Sequence, residues 1–259
     1  MTAGAITSVA PLSFGSFSTS WLSVERQELV LPKWDADGFR VAVLADLHTN
    51  SPDEVAHTTN ALRLALAEKP DLIALPGDFV NWGDAKHLAY VRQSLEPLHD
   101  AKCPVVATLG NHDYDCRNIS GIVEAVKSSS AILLRNQSID VRGVTVAGVD
   151  DGIAKRHRPG FMADASMSKS LLALFHEPDF VEQVPTSVSL QLSGHSHGGQ
   201  ICLPGGRPLH TPKGAWNYFA GYYPDAKVPL YVTRGIGTVG PRLRIFCRPE
   251  VSILTLRSV

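Results

Sequence analysis

Short apolar runs that end in polar residues recur along the chain. The first three are RVAVLADLH (40–48), DLIALPGD (71–78) and PVVATLGNHD (104–113). Apolar runs of this length are typical of strands that are buried on both faces of a sheet. Further strands are predicted at 132–134, 144–149, 170–176, 187–195, 230–233, 243–246 and 251–256.

The segments between the early strands have helical periodicity. Residues 52–69 predict a helix, because Ser51 can cap it, Pro52 suits its first turn and apolar residues recur every three or four positions. Residues 84–101 and 119–128 are also predicted to be helical. This alternation of strands and helices predicts a mostly parallel sheet with helices on both faces.

The pattern changes after Gly199, where glycine, proline and aromatic residues separate short strands. This strand-rich part predicts a second sheet packed on the first. The expected fold class is α/β, a four-layer α/β/β/α sandwich of two mixed sheets. The chain has 259 residues, and we expect 40–259 to form a single domain. Residues 1–39 are expected to be a partly flexible extension that contributes at most an edge strand.

Composition narrows the classes of function. The chain is 44% hydrophobic and 19% charged, as is ordinary for a soluble globular protein. Lys and Arg total 24 while Asp and Glu total 25, so no excess of positive charge indicates nucleic acid as a partner. The four cysteines form no C-x-x-C pair and are expected to be reduced thiols.

The first 24 residues contain no Lys, Arg, Asp or Glu and are rich in Ser, Thr, Gly and Ala. They have neither the positive start and continuous apolar core of a secretory signal nor the apolar length of a membrane span. We therefore expect a cytoplasmic protein whose N-terminus is flexible or loosely docked. The alternative is that this segment makes peripheral contact with a membrane.

Residues of metal-binding type follow five of the predicted strands. They are Asp46 and His48, then Asp78, then Asn111, His112 and Asp113, then His176, and finally His195 and His197. Each alone has an ordinary structural explanation, such as a helix cap, a turn or a hydrogen-bonded histidine. No such explanation requires all of them at one edge of a sheet, where the carboxyl ends of parallel strands gather ligands. The pattern therefore predicts a metal site.

The mixture of carboxylate, imidazole and amide groups favours borderline divalent ions such as Mn²⁺, Fe²⁺ or Zn²⁺. Seven protein ligands are too many for one catalytic ion that keeps an open position, but they suffice for two ions that share a bridging carboxylate. Two ions about 3.5–4 Å apart can hold the attacking and leaving oxygens of an in-line phosphoryl displacement. They also lower the pKa of a shared water, so that hydroxide is available near neutral pH.

The motifs D-x-H (46–48), GD (77–78), GNHD (110–113), His176 and GHSH (194–197), in this order, resemble those of the calcineurin-like metallophosphoesterase superfamily. The resemblance runs from about residue 40 to the C-terminus. GHSHGGQI, HEPD (176–179) and the tail 230–256 further resemble its compact bacterial branch. That branch contains small phosphodiesterases and peripheral UDP-2,3-diacylglucosamine hydrolases.

The resemblance implies a ligand set for two divalent metal ions, Mn²⁺ first, with Fe, Zn²⁺, Co²⁺ or Ni²⁺ as alternatives. Asp46, His48 and His197 would bind the first ion, Asn111, His176 and His195 the second, and Asp78 would bridge the two. His112 would not bind metal but would stabilise charge on the phosphate and protonate the leaving oxygen. Asp113 would hold the His112 ring and favour its protonated form.

The implied activity is that of a dinuclear metal-dependent phosphohydrolase in which metal-bound hydroxide attacks phosphorus in line. A small phosphodiester is the favoured substrate, with phosphomonoesters or the pyrophosphate link of a nucleotide-sugar lipid as alternatives. An amide hydrolase is the alternative from another class, although such folds place His-x-His early and here it comes late. A non-catalytic scaffold should have lost ligands, and none is missing. The pattern does not discriminate between oligomeric states.

Several other features allow two interpretations. Gly77, Gly110 and Gly194 are expected to let the chain turn sharply before the ligands, and Gly198 and Gly199 to leave room for substrate. The aromatic segment 214–225 is expected to anchor a loop, with a rim over the metal site as the alternative. The basic run 155–158 is expected to be a solvated loop, with steering of phosphate as the alternative. Arg234 is a weaker candidate for contact with phosphate.

Overall fold

The structure, a computed structural model, describes residues 21–82, 85–164 and 169–259. Its strands are β1 Ser23–Leu31, β2 Phe39–Val43, β3 Leu72–Pro76, β4 Val105–Thr108, β5 Ile132–Leu133, β6 Gln137–Val141, β7 Val144–Gly148, β8 Leu171–Leu174, β9 Leu190–Ser193, β10 Gly221–Tyr223, β11 Leu230–Val232 and β12 Glu250–Ser258. Its α-helices are α1 Pro52–Ala67, α2 Ala85–Leu95, α3 Asn111–Asp115 and α4 Ile119–Ser128. Short 3₁₀ helices occupy Glu96–Asp100, Pro159–Ala163, Pro178–Gln183 and His197–Gly199.

The strands form two six-stranded mixed sheets. The first has the order β1-β12-β2-β3-β4-β5, and β2 to β5 are parallel, while β12 is antiparallel to β2. The second has the order β10-β11-β9-β8-β7-β6, with parallel inner strands and an antiparallel strand at each edge. The predicted α/β class with two mixed sheets is confirmed.

The two sheets pack face to face because successive side chains of each buried strand point to opposite faces of its sheet, so that each sheet has an apolar inner face. Val41 and Val43 of β2 face the core between the sheets, where they meet Leu172 of β8 among other apolar side chains. Ala42 and Leu44 point to the opposite face, against the helices α1, α2 and α4. The outer face of the second sheet is covered by side chains from 3₁₀ helices. The fourth layer of the predicted sandwich is therefore thinner than the first.

Local sequence signals explain where the elements begin. Ser51 caps α1, since its Oγ accepts the backbone N–H of Glu54 and Pro52 occupies the first turn. The predicted start of the second helix at 84 lies outside the described residues, as do residues 1–20 of the N-terminal extension. No helix in the described part of the chain combines the length and the apolar character needed to cross a bilayer.

Two strands were not predicted, and one predicted strand is wrong. The unpredicted edge strands are β6 and β10. β1 pairs with β12 at the edge of the first sheet and lies in the extension 1–39, which was expected to contribute at most an edge strand. The segment 243–246 forms only a single bridge, between Ile245 and Ile201. Arg244 of this segment is 1% exposed, and its guanidinium donates to backbone carbonyls of His197 and Gly237.

Candidate metal centre

All of the residues of metal-binding type come together at the carboxyl ends of the parallel strands. Asp46 and His48 follow β2, Asp78 follows β3, Asn111 begins α3 after β4, His176 follows β8, and His195 and His197 follow β9. The first three strands belong to one sheet and the last two to the other. The centre therefore lies where the same edges of the two sheets meet, as the sequence pattern predicts.

Asp46, His48 and His197 form the first ligand group. Each offers one atom, and these atoms lie within 4.8 Å of one another. Nε2 of His48 is 3.1 Å from Nε2 of His197, and Oδ1 of Asp46 is 3.9 Å from the same His197 atom. The two imidazole rings are stacked with centroids 4.9 Å apart. The three side chains thus converge on one point from different strand ends.

Asp78, His176 and His195 form the second ligand group, with the same limit of 4.8 Å between their ligand atoms. Nε2 of His176 lies 3.1 Å from Oδ2 of Asp78 and 3.2 Å from Nδ1 of His195. Nδ1 of His176 is 2.7 Å from the Pro76 carbonyl and Nε2 of His195 is 2.9 Å from the Lys213 carbonyl. Since these nitrogens donate to carbonyls, the opposite nitrogens are the atoms that face the group and can bind a metal.

Asp78 lies between the two ligand groups. Its Oδ2 is 3.1 Å from Nε2 of His176 and 3.6 Å from Nε2 of His48. Its Oδ1 accepts the backbone N–H of His112 at 2.9 Å. One carboxylate oxygen thus approaches a nitrogen from each group.

Asn111 supplies a further indication of a cation. Its Oδ1 is buried and has no hydrogen-bond partner within the described residues. Buried polar atoms are nearly always paired, so an orphaned amide oxygen beside a cluster of carboxylates and imidazoles needs an explanation. Oxygen and nitrogen donors of these types suit borderline divalent ions. The residues present therefore fit a divalent metal.

Burial and mutual charge shift the acidity of the carboxyl groups at the centre. Burial raises the pKa of Asp46 to about 7 and that of Asp113 to about 7, and the charge of Asp78 adds to both shifts. Burial also acts on Asp78, but His176, His48 and His112 together outweigh it and hold the pKa of Asp78 well below its usual range. Buried carboxylates that lie close together destabilise one another's charged forms unless a positive charge lies among them.

The imidazole groups at the centre also differ in the direction of their pKa shifts. Burial lowers the pKa of His48 to about 3 and that of His195 to about 4, so both rings are neutral and can act as ligands. Burial lowers the pKa of His197 still more clearly below its usual value. His176 is the exception, because Asp78 and Asp46 overcome the effect of burial and raise its pKa well above the usual value. A proton on His176 is the positive charge that a divalent ion would replace.

The ligand residues have an unusual backbone. Asp46, His48, Asp78, His195 and His197 all have positive φ, between 46° and 68°. This left-handed region is sparsely populated by residues with a side chain, and such strain gathers at functional sites. Backbone hydrogen bonds stabilise this strained conformation. The N–H of His48 donates to the carbonyl of Asp78 at 3.1 Å, which joins two of the ligand residues.

The glycines next to the ligands are explained mainly by close approach. Gly77 has φ of 87° and so makes the sharp turn that was expected. Gly110 and Gly194 do not have positive φ, but a Cβ on Gly110 would lie 2.3 Å from Oδ1 of Asp78, and one on Gly194 would lie 2.8 Å from Oδ2 of Asp46. Only glycine lets the chain pass this close to a ligand.

The expectation that Gly198 and Gly199 leave room for substrate is wrong. A Cβ on Gly198 would lie 2.7 Å from the Arg234 side chain, and one on Gly199 would lie 2.2 Å from Cβ of Pro208. The space beside both glycines is therefore filled by protein. They allow the loop after His197 to pack tightly.

His112 lies at the centre without belonging to either ligand group. Its ring meets that of His48 edge to face, with centroids 5.0 Å apart and an angle of 88°. Its Nδ1 is 3.2 Å from the carbonyl oxygen of Asn81, so Nδ1–H donates there and Nε2 is free to face the cleft that His112 lines. The ring thus lines the cleft beside the two ligand groups.

Asp113 does not hold the ring of His112, contrary to the expectation. Its fully buried carboxylate accepts three backbone N–H groups, from Asp78 at 3.0 Å, Phe79 at 2.9 Å and Gly110 at 3.0 Å. The reason is local. Asp113 is the third residue of α3, and its side chain accepts the N–H of Gly110, which precedes the same helix and has no helical partner. Asp113 therefore ties the turns that carry Asp78 and Asn111 together.

Sequence reasoning missed two residues that support the centre. Arg244 donates to the carbonyl oxygens of His197 at 3.1 Å and of Gly237 at 2.7 Å, although it was read as part of a strand. Gln200 donates through Nε2 to the Val239 carbonyl and accepts the N–H of the same residue. An arginine inside an apolar run was the only available signal for the first.

The remaining candidates do not line the cleft beside the two ligand groups. Arg234 pairs with Glu250 at 2.6 Å and with Glu25 at 2.9 Å, which leaves it committed to acids rather than to a phosphate. The aromatic segment 214–225 is held by Asp179, whose carboxylate accepts three backbone N–H groups from the start of the segment. Neither this segment nor the basic run 155–158 lines the cleft beside the ligands.

Comparison with known proteins agrees with this arrangement. The family model of calcineurin-like phosphoesterases matches residues 39–199. The phosphodiesterase YaeI of Escherichia coli K12 is 33% identical over 245 residues, which cover 91% of this chain and 88% of that protein. The uncharacterised metallophosphoesterase YkuE of Bacillus subtilis 168 is 30% identical over 86% of this chain and 80% of its own length.

A third relative extends the match to nearly the full length. An uncharacterised metallophosphoesterase of Aquifex aeolicus VF5 is 27% identical over 95% of both chains. The matched region of the family model contains all seven residues of the ligand set, from Asp46 to His197. The chain therefore belongs to the calcineurin-like phosphoesterase family and is a metal-dependent phosphoric ester hydrolase.

Proposed function

We propose that the chain hydrolyses phosphodiesters at a centre of two divalent metal ions. The observation that carries the proposal is the position of Asp78, whose Oδ2 lies 3.6 Å from a nitrogen of the first ligand group and 3.1 Å from a nitrogen of the second. A single-ion site would need no carboxylate between two groups. The name of the Escherichia coli relative, a phosphodiesterase, favours diesters over monoesters.

The seven ligand residues divide between the two ions. Asp46, His48 and His197 hold the first, His176, His195 and the orphaned amide oxygen of Asn111 hold the second, and Asp78 is shared. Mn²⁺ is the first candidate for both positions, and Fe, Zn²⁺, Co²⁺ and Ni²⁺ suit the same donors. Bound ions supply Lewis-acid charge to the phosphate and make water a competent nucleophile near neutral pH.

His112 is the residue of this chain that acts on the leaving group. Its Nδ1–H is used by the Asn81 carbonyl at 3.2 Å, so Nε2 is the atom that can hold a proton toward the cleft. From there it stabilises charge on the phosphate and gives a proton to the departing oxygen. Its backbone N–H donates to the carboxylate of Asp78, which fixes the position of His112 relative to the ligand groups.

Asp113 is a positioning residue in this proposal. It accepts the backbone N–H groups of Asp78, of Phe79 after it and of Gly110 before Asn111, whereas Nδ1 of His112 is bonded to the Asn81 carbonyl. Its contribution is therefore the geometry of the metal ligands. It has no part in the proton transfer.

The substrate test compares three chromogenic compounds with metal-free and reloaded protein. The protein is stripped with a chelator, reloaded with each candidate ion, and assayed with bis(p-nitrophenyl) phosphate, p-nitrophenyl phosphate and a p-nitroanilide amide. We expect activity only with metal, the highest kcat/KM for the diester, and none for the amide. Faster cleavage of the monoester would favour a phosphomonoesterase, and cleavage of the amide alone would favour an amide hydrolase and overturn the proposal.

A further inference from the structure

Part of the lining of the cleft beside the ligand groups is apolar. The cleft has a volume of about 410 Å³, and Asp78, Asn111 and His112 are among its polar lining residues. Its apolar lining residues, called the apolar wall, are Ile201, Leu209, Pro212, Val239 and Pro241. A substrate whose phosphate reached the ligand groups would therefore have one of its substituents against hydrocarbon.

The apolar wall is held in place by hydrogen bonds. Leu209 donates its backbone N–H to the Ile201 carbonyl at 3.0 Å, which closes a hairpin. The side chain of Gln200 accepts the N–H of Val239 at 2.9 Å and donates to the carbonyls of Val239 at 3.0 Å and Pro241 at 3.3 Å. This amide joins the hairpin to the segment 239–241. The wall is therefore preformed.

The cleft offers no cation for a second phosphate. Of the described residues that line it, none is a lysine or an arginine, and Asp78 is the only acid. Three arginines close to the cleft are committed, since Arg242 pairs with Glu54, Arg234 pairs with Glu250, and Arg244 is buried against carbonyls. Pyrophosphates and nucleotides carry additional anionic charge that proteins usually meet with such side chains. The lining suits one singly charged phosphodiester.

Leu209 of the apolar wall is 62% exposed. A leucine at the rim of a metal cleft has much apolar surface left to bury. Burial of each methylene of a ligand against such a surface corresponds to about a fourfold gain in affinity when it is complete. The wall could therefore discriminate between substrates by the length of an apolar substituent.

We infer that the substrate is a phosphodiester in which one substituent is an uncharged apolar group that packs on Ile201, Leu209 and Val239. This inference rests on the proposed function and specifies the substrate class of the same site. In the reaction, water adds to phosphorus, the bond to the leaving alcohol breaks, and the products are that alcohol and a monoester that retains the apolar group.

The test uses a series of alkyl p-nitrophenyl phosphates with methyl, butyl and hexyl groups. All release the same p-nitrophenolate, so differences in kcat/KM report the alkyl group alone. With Mn²⁺-loaded protein we expect kcat/KM to rise about tenfold or more from methyl to hexyl, which corresponds to partial burial of the added methylenes. Thymidine 5′-(p-nitrophenyl phosphate), with a polar sugar and base in the same position, should be a poorer substrate than the hexyl ester.

Two variants locate the effect. Leu209→Asn should lower the hexyl-to-methyl ratio of kcat/KM by about fivefold. The variant loses apolar contact equivalent to the burial of about one methylene group or more. Val239→Thr, which keeps the shape of the side chain, should lower it in the same direction. The matched control is Leu203→Asn, since Leu203 is an exposed leucine of the same hairpin, at 47%, that does not line the cleft. It should keep the wild-type ratio.

The outcomes separate this inference from the proposed function. Hydrolysis of all esters with no dependence on chain length, or equal effects of Leu209→Asn and Leu203→Asn, would overturn the inference and leave the phosphodiesterase proposal in place. Preference for the thymidine ester over the hexyl ester would also overturn the inference. Failure to hydrolyse any diester with any of the candidate ions would overturn the proposed function itself.

Discussion

The guanidinium of Arg244 donates a hydrogen bond of 3.1 Å to the backbone carbonyl of His197. The same group also donates to the carbonyls of Arg234, Gly235 and Gly237. The first of these carbonyls belongs to His197, a residue of the first ligand group. The others belong to the loop that packs against Asp46. A buried arginine therefore organises the backbone behind the metal centre.

Replacement of Arg244 by methionine should destabilise the protein strongly. The variant keeps the apolar stem but leaves several buried carbonyl oxygens without a donor, at a cost of about 3 kcal/mol or more in the free energy of unfolding. The measurement is chemical denaturation of the metal-free protein. Arg242→Met is the control, because Arg242 is half exposed and its ion pairs are worth about 1 kcal/mol or less. Equal losses in the two variants would contradict the role given to Arg244.

Gly194→Ala should weaken metal binding through the first ligand group. The added Cβ would lie 2.4 Å from Cβ of Ala45 and 2.8 Å from Oδ2 of Asp46, so the carboxylate has to move. We expect affinity for metal to fall about 10–100-fold, as it does when the support of a ligand is disturbed. Calorimetric titration with Mn²⁺ measures this. Gly160→Ala, whose Cβ would have no atom within 4 Å, should bind metal like the wild type.

Asp113→Asn distinguishes two roles for this carboxylate. An amide cannot accept all three backbone N–H groups, so we expect about 2 kcal/mol less stability and about 10–100-fold weaker metal binding. If Asp113 acted on the His112 ring instead, turnover would fall while metal affinity and stability stayed the same. Asp140→Asn, at an exposed turn where the side chain accepts from Gly143, serves as the control.

His112→Ala should retain the metal content of the wild type and lose about 10²–10⁴-fold in kcat, since the residue acts on the leaving oxygen and lies outside both ligand groups. The loss should be larger for a phenyl ester than for a p-nitrophenyl ester, because p-nitrophenolate leaves readily without a proton. His99→Ala, on an exposed ring that contacts Ser130, should change neither. Equal losses for the two esters would argue against proton transfer by His112.

The position of the ligand residues was predictable from sequence for a simple reason. Each follows an apolar run, and parallel buried strands bring their carboxyl ends to one edge. Asp78 and His176 are 98 positions apart, yet the pattern placed both at that edge, where they lie 3.1 Å apart. Periodicity and strand order carry this information without any knowledge of individual contacts.

The supporting contacts were not predictable in the same way. The carboxylate of Asp113 had a histidine beside it in sequence, but the structure gives it three backbone donors. Gly198 appeared to give clearance for a ligand, whereas Arg234, which lies far along the chain, fills that space. Such roles depend on which distant segment arrives beside a residue, and nothing in the local pattern encodes that.

The central claim is that Asp78 joins two ion positions, and its most direct test is a count of bound ions per chain. Metal-free wild type and Asp78→Ala are reloaded with Mn²⁺, freed of excess ion and analysed by mass spectrometry of the metal. The account predicts about two ions per chain for the wild type and fewer than one for Asp78→Ala. Two ions retained by Asp78→Ala, or a single ion in the wild type at saturation, would contradict it.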